Sequence, residues 1–403
     1  MEWKITNIGS LCNRVCSGGT PKSTNNAYYN GNIPWLNTKE VNFNRIYDTE
    51  KNITQLGLEN SSAKWISENS VIVAMYGATA GKVAITKIPI TTNQACCNLS
   101  INSEIADYNF VYYFLCSKFY ELSSLANGGA QQNLNAQIIK DFPIKIPVNL
   151  SDQRKIAGIL SALDAKIENN NKINANLETQ AEALFKSWFV DFTPFKDQPF
   201  VDSELGPIPQ GWKVGKLGDL GDIVGGSTPS KSKPEYYTTH GIAWLTPKDL
   251  STSKAKFTSR GEIDITDEGY KSTSTKLMPR GSVLFSSRAP IGYLTIAKNE
   301  ICTNQGFKSL VPNGAGTGFI YYSLRHLTPQ IENRATGSTF KEASATLMRS
   351  VETIVPPTSI LNKFEELLRP ILQFQEKKEE ENQRLAALRD TLLPKLMSGE
   401  IKL

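Results

Sequence analysis

Long hydrophobic runs and histidine are scarce in this sequence of 403 residues. No stretch of 18 uncharged apolar residues occurs, so we expect no membrane-spanning segment. The N-terminal Met1-Glu2-Trp3-Lys4 contains an acidic residue and no apolar core, which argues against a signal peptide. These features predict a cytoplasmic protein without a membrane partner.

Metal and disulfide chemistry also lack the residues that they need. The only histidines are His240 and His326, and neither has a counterpart in the other half of a chain that proves to be duplicated. Five of the six cysteines lie in the first half, and only Cys302 lies in the second. A structural zinc site or a disulfide framework is expected to be duplicated with its domain. We therefore predict free thiols and no metal site.

Catalytic motifs are missing as well. Gly77-Ala78-Thr79-Ala80-Gly81-Lys82 resembles a phosphate-binding loop, but it has three residues between the glycines instead of four. Val83 follows the lysine where a serine or threonine is needed, so a tight turn is favoured. No Gly-x-Gly-x-x-Gly opens a helix, and no Asn/Asp-Pro-Pro-Tyr tetrad occurs. We predict no catalytic residues and no cofactor bound by this chain.

What the chain does contain is a long internal repeat. Six landmarks recur in the same order at an offset of 208 to 212 residues. The clearest pairs are Trp3-Lys4 with Trp212-Lys213, Gly19-Thr20-Pro21 with Ser227-Thr228-Pro229, Trp35-Leu36 with Trp244-Leu245, Gly81 with Gly292, Thr92-Asn93-Gln94 with Thr303-Asn304-Gln305, and Ile146-Pro147 with Val355-Pro356. Because this period exceeds that of solenoids, each copy is expected to be a whole domain. Two similar domains suggest a ligand with two similar halves.

Each copy has a β-rich part followed by a long helical part. Short β-branched and aromatic runs bounded by Gly, Pro and Thr predict strands, with helices at 108–125 and 318–327. The predicted segments are a first β-rich domain at 1–149, a long helix at 150–192, a linker at 193–209, a second β-rich domain at 210–357 and a second long helix at 358–403. The second β-rich segment has 18 basic and 12 acidic residues, which is compatible with nucleic acid.

The helical parts carry an apolar heptad pattern. The first seam is Ile156, Leu160, Leu163, Ile167, Asn170, Asn174, Leu177, Ala181, Leu184 and Trp188; the second is Phe364, Leu367, Ile371, Phe374, Lys378, Glu381, Leu385, Leu388 and Leu392. Such a repeat predicts a coiled coil. The middle of each seam is polar, which fits either register control or contact with a partner protein. Pro370 is expected to kink the second helix or delay its start.

The predicted fold class is therefore α+β. Two mixed α/β, β-rich domains are separated by two long antiparallel coiled-coil helices, and the internal repeat makes the chain pseudo-two-fold. A helix of 35 residues is about 50 Å long at 1.5 Å per residue. Ten base pairs of B-DNA span about 34 Å. The helices could therefore act as a ruler between two DNA half-sites.

At this point the motifs resemble a known family. The duplicated Trp-Lys, Gly-x-Thr-Pro, Trp-Leu and Thr-Asn-Gln pattern is similar to the target-recognition domains of Type I restriction-modification specificity subunits. The segments 182–192, 206–212 and 388–399 resemble that family's central helix, its entry to the second recognition domain and its C-terminal signature. The resemblance implies a non-catalytic subunit that reads a bipartite double-stranded DNA target. It also implies two modification subunits, which use S-adenosylmethionine, and restriction subunits, which use ATP and Mg²⁺.

DNA contacts are predicted from side chains that donate to bases and phosphates. The loops 127–135 and 336–342 keep a glycine but differ at nearly every side chain, as two different half-sites require. The predicted DNA-binding residues are Gly19, Thr20, Lys22, Tyr76, Lys82, Gln131, Gln132, Asn133, Asn135, Thr228, Lys231, Ser286, Ser287, Arg288, Thr339 and Lys341. The shared Asn93-Gln94 and Asn304-Gln305 are interpreted as structural, since residues that are identical in both repeats are poorly suited to recognising different bases.

The polar middle of the seams gives the candidate docking sites for the modification subunits, namely Asn170, Asn174, Lys377, Lys378 and Glu381. A second class of function stays open at this stage. A two-headed scaffold that binds protein or glycan would have the same duplicated architecture but no salt-sensitive DNA binding.

Overall fold

The structure is a computed structural model, and it describes residues 1–126, 133–253, 255–337, 341–401 and 403. The chain forms two compact units. Unit 1 contains residues 1–168 and 383–403, and unit 2 contains residues 169–382. Each unit therefore combines one β-rich segment with parts of both long helices. The linear boundaries expected at 149, 192, 209 and 357 remain predictions about the repeat.

Unit 1 contains ten strands and four helices among its described residues, and it begins a fifth helix. The strands are β1 Trp3–Asn7, β2 Cys12–Ser17, β3 Tyr29–Leu36, β4 Asn44–Ile46, β5 Lys51–Ile53, β6 Val71–Ala74, β7 Val83–Thr86, β8 Thr91–Thr92, β9 Cys96–Ile101 and β10 Pro143–Pro147. The helices are α1 Gln55–Glu59, α2 Tyr108–Ser117, α3 Phe119–Ser124, α4 Ala136–Asp141 and α5 Leu150–Phe189, which continues into unit 2. The helical stretch expected at 108–125 is thus divided in two.

Unit 2 follows with a second set of elements. Its strands are β11 Phe200–Val201, β12 Ile208–Pro209, β13 Lys213–Lys216, β14 Gly221–Gly225, β15 Tyr237–Thr238, β16 Trp244–Leu245, β17 Phe257–Thr258, β18 Asp264–Ile265, β19 Val283–Ser287, β20 Ile291–Ala297, β21 Cys302–Thr303, β22 Lys308–Pro312 and β23 Glu352–Val355. Its helices are α6 Pro247–Thr252, α7 Asp267–Lys271, α8 Thr317–Arg334, α9 Ala345–Ser350 and α10 Thr358–Ser398, which ends in unit 1.

The two units share one sheet topology. The main sheet has the order β2-β9-β6-β7-β4 in unit 1 and β14-β22-β19-β20-β17 in unit 2. The edge strands β4 and β17 each run parallel to their neighbour, and the other strand pairs in both sheets are antiparallel. The first and last strands of each copy also pair, as β1 with β10 and β13 with β23. A mixed α/β fold that occurs twice is therefore confirmed.

Alternating side chains place the central strands between two apolar layers. In β6, Val71 and Val73 pack with Phe110 of α2, whereas Ile72 packs with Leu36 on the opposite side. In β19, Val283 and Phe285 belong to the large aromatic core of unit 2, and Leu284 belongs to a separate cluster. Because both faces are covered, these strands read as continuous apolar runs. That is why the sequence identified them.

The two long helices run antiparallel inside each unit. In unit 1, Asp164 of α5 binds Arg389 of α10 at 2.8 Å, and Leu160 shares a core cluster with Leu396. In unit 2, Asn170 Nδ2 donates to Asn382 Oδ1 at 2.9 Å. Further along the same pair, the rings of Phe185 and Phe364 lie 6.2 Å apart. Residue numbers rise on one helix as they fall on the other in both units.

The predicted seam residues of α5 are all covered, but the predicted seam of α10 is wrong at three positions. Every predicted α5 seam residue is buried or half-buried. In α10, Leu367 and Phe374 are 50% and 45% exposed, whereas the next residues, Leu368 and Gln375, are 0% and 3% exposed. Leu388 is exposed as well. The stripe that faces α5 contains the buried Gln375 and the half-buried Asn382 and Arg389, which bind polar groups of α5, so the apolar pattern alone does not reveal it.

Pro370 does not delay the start of the second helix. The helix α10 begins at Thr358 and continues through Pro370 to Ser398. Similarly, α8 extends beyond the expected 318–327 and continues through Pro329 to Arg334. None of the helices among the described residues combines the length and apolarity that crossing a bilayer requires.

Candidate nucleic-acid interface

Two segments with different side chains in the two repeats converge in unit 1. The turn after β6 begins at Tyr76, and the backbone of Tyr76 pairs with that of Asn133. The amide of Leu134 donates to Met75 O at 2.7 Å, which fixes the second segment beside the first. The side chain of Tyr76 is 42% exposed, and Asn133 is also exposed. The residues Gln131 and Gln132 lie outside the described residues.

The same two segments converge in unit 2, with different side chains. The backbone of Arg288 pairs with that of Glu342, and Ala343 N donates to Ser287 O at 2.9 Å. Arg288 is therefore the structural counterpart of Tyr76, and Glu342 is the counterpart of Asn133. Arg288 Nη1 and Lys308 Nζ lie 3.5 and 3.3 Å from the carboxylate oxygens of Glu342.

Two of the other predicted contacts, Lys82 and Lys341, lie near these segments. Lys82 Nζ donates to Asn42 Oδ1 at 2.8 Å and lies 6.0 Å from the ring centre of Phe43. Lys341 is exposed, and its ammonium lies 3.5 Å from Glu332 O. Thr339 lies outside the described residues.

The structure corrects the predicted DNA contacts of Ser286 and Ser287. Both residues are completely buried. Ser286 Oγ donates to Pro290 O at 2.8 Å and accepts from Tyr293 N at 2.7 Å, so it holds the turn that presents Arg288. A buried hydroxyl has no surface to offer a base, so these serines position the loop instead of touching the ligand.

Asn135 and Gly19 have structural roles that the sequence did not reveal. Asn135 Oδ1 accepts from Ile138 N at 2.9 Å and thereby caps helix α4. Gly19 is buried, and a Cβ at this position would lie 2.2 Å from Ala63 N. Gly19 is therefore required for close packing of the loop, and its predicted DNA contact is corrected to a supporting role.

Residues that are shared by the two repeats contact one another within each unit. Trp35 Nε1 donates to Gly19 O at 2.9 Å in unit 1, and Trp244 Nε1 donates to Ser227 O at 3.1 Å in unit 2. The hydroxyl groups of Tyr29 and Tyr237 donate to the carbonyl oxygens of Pro21 and Pro229, each at 2.6 Å. The same hydrogen bonds thus fix the Gly-x-Thr-Pro loop twice.

In unit 2 this loop borders an open cleft of about 510 Å³. The cleft is lined by Thr228, Lys231, Tyr237, Trp244, Thr246, Lys248, Asp249, Glu262, Ile263, Asn304 and Gln305. Its Lys248 and Glu262 form an ion pair at 3.1 Å, and the corresponding Lys39 and Glu50 pair in unit 1. Thr20, Lys22 and Lys231 from the predicted contacts are exposed at these loops.

Buried polar clusters, which the sequence did not predict, join each sheet to the long helices. In unit 2, Lys256 Nζ lies 2.6 Å from Glu178 Oε2, 2.6 Å from the Tyr322 hydroxyl and 3.0 Å from Gln375 Oε1. Burial lowers the pKa of Lys256, while Glu178 opposes that shift. Burial opposes ionisation of Glu178, but its pKa is lowered overall by Lys256, Gln375 and Arg325.

Unit 1 has a similar cluster with different residues. The Tyr113 hydroxyl donates to Asp164 Oδ2 at 2.5 Å, and Arg45 from β4 binds Glu168 Oε1 at 3.0 Å. Burial and the charge of Asp164 raise the pKa of Tyr113, so the phenol remains a donor. In unit 1, Tyr113 of α2 and Arg45 of β4 bind carboxylates of α5. In unit 2, Tyr322 of α8 and Lys256, which precedes β17, do the same.

The predicted docking residues lie among these helix contacts. Asn170 is completely buried, and its amide donates to Glu381 Oε2 at 3.1 Å as well as to Asn382. This burial leaves no surface for a partner, so the docking prediction for Asn170 is corrected to helix pairing. Asn174 is half-buried, Lys378 binds Glu381 at 2.8 Å, and Lys377 is exposed.

The other chemically reactive groups of the chain are its potential metal ligands and its thiols. Within the described part of the chain, no three His, Cys, Asp or Glu side chains are grouped as a metal site requires. All six cysteines are free thiols, as predicted. Burial raises the pKa of Cys12 and Cys302 to about 12, so these thiols are poor nucleophiles.

Comparison with known proteins identifies the class. The family model "Type I restriction modification DNA specificity domain" matches residues 1–179 and 209–385. The chain therefore belongs to this family, and the family prediction from its motifs is confirmed. The two matched segments each contain one copy of the repeated sheet.

Individual relatives are similar over almost their full length. The chain is 28% identical to the Type I restriction enzyme MjaIX specificity subunit of Methanocaldococcus jannaschii, in an alignment covering 100% of this chain and 94% of that protein. It is 24% identical to the HindI specificity subunit of Haemophilus influenzae, over 99% and 100% of the two chains. The crystal structure of the Type I S subunit from M. genitalium has a similar fold, with a TM-score of 0.63, 17% identity and coverage of 98% and 96%.

Proposed function

We propose that this chain is the DNA-specificity subunit of a Type I restriction-modification complex. Each β-rich domain reads one half of a bipartite double-stranded target. One observation carries the proposal: two family matches coincide with two copies of one topology, and the side chains differ at structurally matched positions. A kept frame with different side chains is what two different half-sites require.

The paired segments around Tyr76 and Arg288 are the proposed base readers. An arginine donates two hydrogen bonds to the O6 and N7 atoms of guanine, and an asparagine can bind adenine in the same way. Arg288 in unit 2 and Asn133 in unit 1 therefore favour different bases. Lys82 and Lys341 are proposed to position the backbone of the DNA, since a lysine binds phosphate without reading sequence.

The long helices are proposed to set the distance between the half-sites. Helices α5 and α10 contain 40 and 41 residues, which corresponds to about 60 Å each at 1.5 Å per residue. Their antiparallel contacts inside each unit support a pseudo-two-fold coiled coil between the two recognition domains. In that arrangement the helix length fixes the number of unread base pairs in the target.

The chemistry belongs to partner subunits in this proposal. Two modification subunits dock on the helices and use S-adenosylmethionine, and restriction subunits use ATP and Mg²⁺. Two-fold symmetry of the helices would place one modification subunit over each half-site. Lys377 is the best docking candidate among the predicted residues, because it is exposed on α10. Asn174, Lys378 and Glu381 remain candidates that are partly occupied by helix contacts.

The test combines methylome sequencing with reconstitution. Cells with the gene and its modification subunit should methylate one bipartite motif, and deletion of the gene should abolish it. The purified chain alone should methylate no DNA, and activity should appear when the modification subunit is added. Methylation by the isolated chain, or the absence of salt-sensitive DNA binding by the complex, would refute the proposal. The latter result would favour the two-headed scaffold.

The docking site can be tested separately. Lys377→Glu should weaken assembly with the modification subunit without changing the methylated motif. Lys363→Glu, also exposed on α10, is the matched control. Equal assembly of both variants, measured by analytical ultracentrifugation, would place the docking surface elsewhere.

A further inference from the structure

The kept landmark Thr-Asn-Gln is exposed at its last residue in both units. Asn93 and Asn304 form the turn: Asn93 Oδ1 accepts from Ala95 N at 3.2 Å, and Asn304 Oδ1 accepts from Gly306 N at 2.8 Å. These turns present Gln94 and Gln305 on the surface. The shared pair therefore divides into a structural asparagine and an exposed glutamine, so the interpretation of both as structural is incomplete.

A threonine hydroxyl holds each glutamine in place. Thr20 Oγ1 donates to Gln94 Oε1, and Thr228 Oγ1 donates to Gln305 Oε1. In each pair the carbonyl oxygen of the glutamine is used, and the Nε2 atom has no partner among the described residues. We call these two contacts the Thr–Gln pairs. Each therefore presents an oriented amide donor at the surface.

The loops that carry the threonines are pressed against the glutamine turns. A Cβ at Gly18 would lie 2.1 Å from Thr92 O, and a Cβ at Gly226 would lie 2.1 Å from Thr303 O. Only glycine permits this approach. Each loop also carries an exposed lysine soon after its threonine, at Lys22 in unit 1 and Lys231 in unit 2. A positive charge thus accompanies each Thr–Gln pair.

Gln94 and Gln305 are identical in the two repeats and exposed in both units. A ligand that both of them bind must therefore present the same chemical group in both half-sites. The bases of the two halves differ, but the sugar–phosphate backbone is the same. An amide NH₂ group and an ammonium group are donors, and the phosphate oxygens of DNA are acceptors. We propose that the Thr–Gln pairs, with Lys22 and Lys231, bind the DNA phosphate backbone at equivalent positions of the two half-sites. This inference rests on the proposed function.

The test uses a substitution that preserves the internal hydrogen bond. In Gln94→Glu and Gln305→Glu, a carboxylate oxygen still accepts from the threonine hydroxyl, but the donors are lost and a negative charge faces the DNA. Gln198→Glu adds the same charge at an exposed position of the linker before β12 and is the control. The complex with the modification subunit is titrated with duplex DNA that carries its target, at several salt concentrations.

Each Thr–Gln variant should bind at least about tenfold more weakly than the control, and its salt dependence should fall by about one phosphate contact. The methylated motif and the melting temperature should not change. Binding as tight as that of Gln198→Glu, relaxed specificity at one base pair, or a lower melting temperature would overturn the inference alone. A wild-type complex that shows no salt-sensitive binding to the duplex would instead refute the proposed function.

Discussion

A half-buried carboxylate of α5 contributes strongly to the attachment of the second domain to the long helices. Glu178 of α5 binds Lys256, Tyr322, Gln375 and Arg325. In Glu178→Ala, the Lys256 ammonium keeps hydrogen bonds only to the neutral Tyr322 and Gln375, with the charge of Glu379 as weaker compensation, while its side chain is 8% exposed. Removing one partner of a buried ion pair costs about 3–5 kcal/mol, because the remaining charge is uncompensated.

Removing the lysine instead should cost less. In Lys256→Met the apolar stem is retained, and Glu178 still binds Arg325 Nη1 at 2.6 Å and the Tyr322 hydroxyl at 3.1 Å. The loss is then about 1.5–3 kcal/mol, typical of hydrogen bonds to a charged group. The structure therefore predicts an asymmetry between the two halves of one ion pair, and surface pairs show no such effect.

Differential scanning calorimetry of the purified chain measures this difference. For a unit of about 200 residues, each kcal/mol shifts the melting temperature by about 2–4 °C. We expect a decrease of about 6–20 °C for Glu178→Ala and a clearly smaller one for Lys256→Met. An equal or larger loss for Lys256→Met would refute the assignment of Glu178 as the centre of the cluster.

The structure also predicts how the stability of these two variants depends on pH. Burial lowers the folded-state pKa of Lys256 below its usual 10.5, so folding opposes the charged form. The buried Lys256 ammonium therefore destabilises the fold fully at low pH, and this effect disappears as pH rises through the folded-state pKa towards 10.5. Without Glu178 the pKa falls further, so Glu178→Ala should gain more stability than wild type between pH 7 and 10. Chemical denaturation at each pH checks this, and Lys256→Met should lack the additional gain.

Three further outcomes test the wider interpretation. Replacing 210–357 with a relative's recognition domain should alter one half of the methylated motif, and alteration of both halves with an intact fold would contradict independent reading. Inserting whole turns into both long helices should lengthen the spacer and keep both half-sites, and a change in the bases read would exclude the ruler. Leu368→Ala should cost about 2–5 kcal/mol because Leu368 is fully buried. Leu367→Ala should cost clearly less in the same unfolding assay, and equal losses would contradict the observed seam.

Much of the frame could be predicted from the sequence because it depends on local patterns. The strands around Val71 and Val283 are continuous apolar runs between turn residues, and the landmark residues keep their spacing in both copies. The Gly-x-Thr-Pro loop, the tryptophan and the Thr-Asn-Gln turn are recognisable as equivalent from the sequence alone. Their hydrogen bonds explain why they are kept.

The rest depends on partners that are distant along the chain. Lys256 and Glu178 are 78 residues apart, so no local pattern shows that they form a pair. The α10 seam was misassigned because Leu367 and Phe374 look like core residues, whereas the buried Gln375 does not. In each case a tertiary partner decides which polar side chain is buried.

These buried polar pairs bear directly on the proposed ruler. An apolar seam alone tolerates a shift of one helix by a heptad, because leucine packs against leucine in either register. The contact of Asn170 with Asn382 in unit 2, and that of Asp164 with Arg389 in unit 1, would each be broken by such a shift. The completely buried Asn170 would then lose both of its hydrogen-bond acceptors on α10, at a cost of about 1–3 kcal/mol. A helix pair that sets the distance between two DNA half-sites needs a single register, and the polar contacts in its seam fix that register.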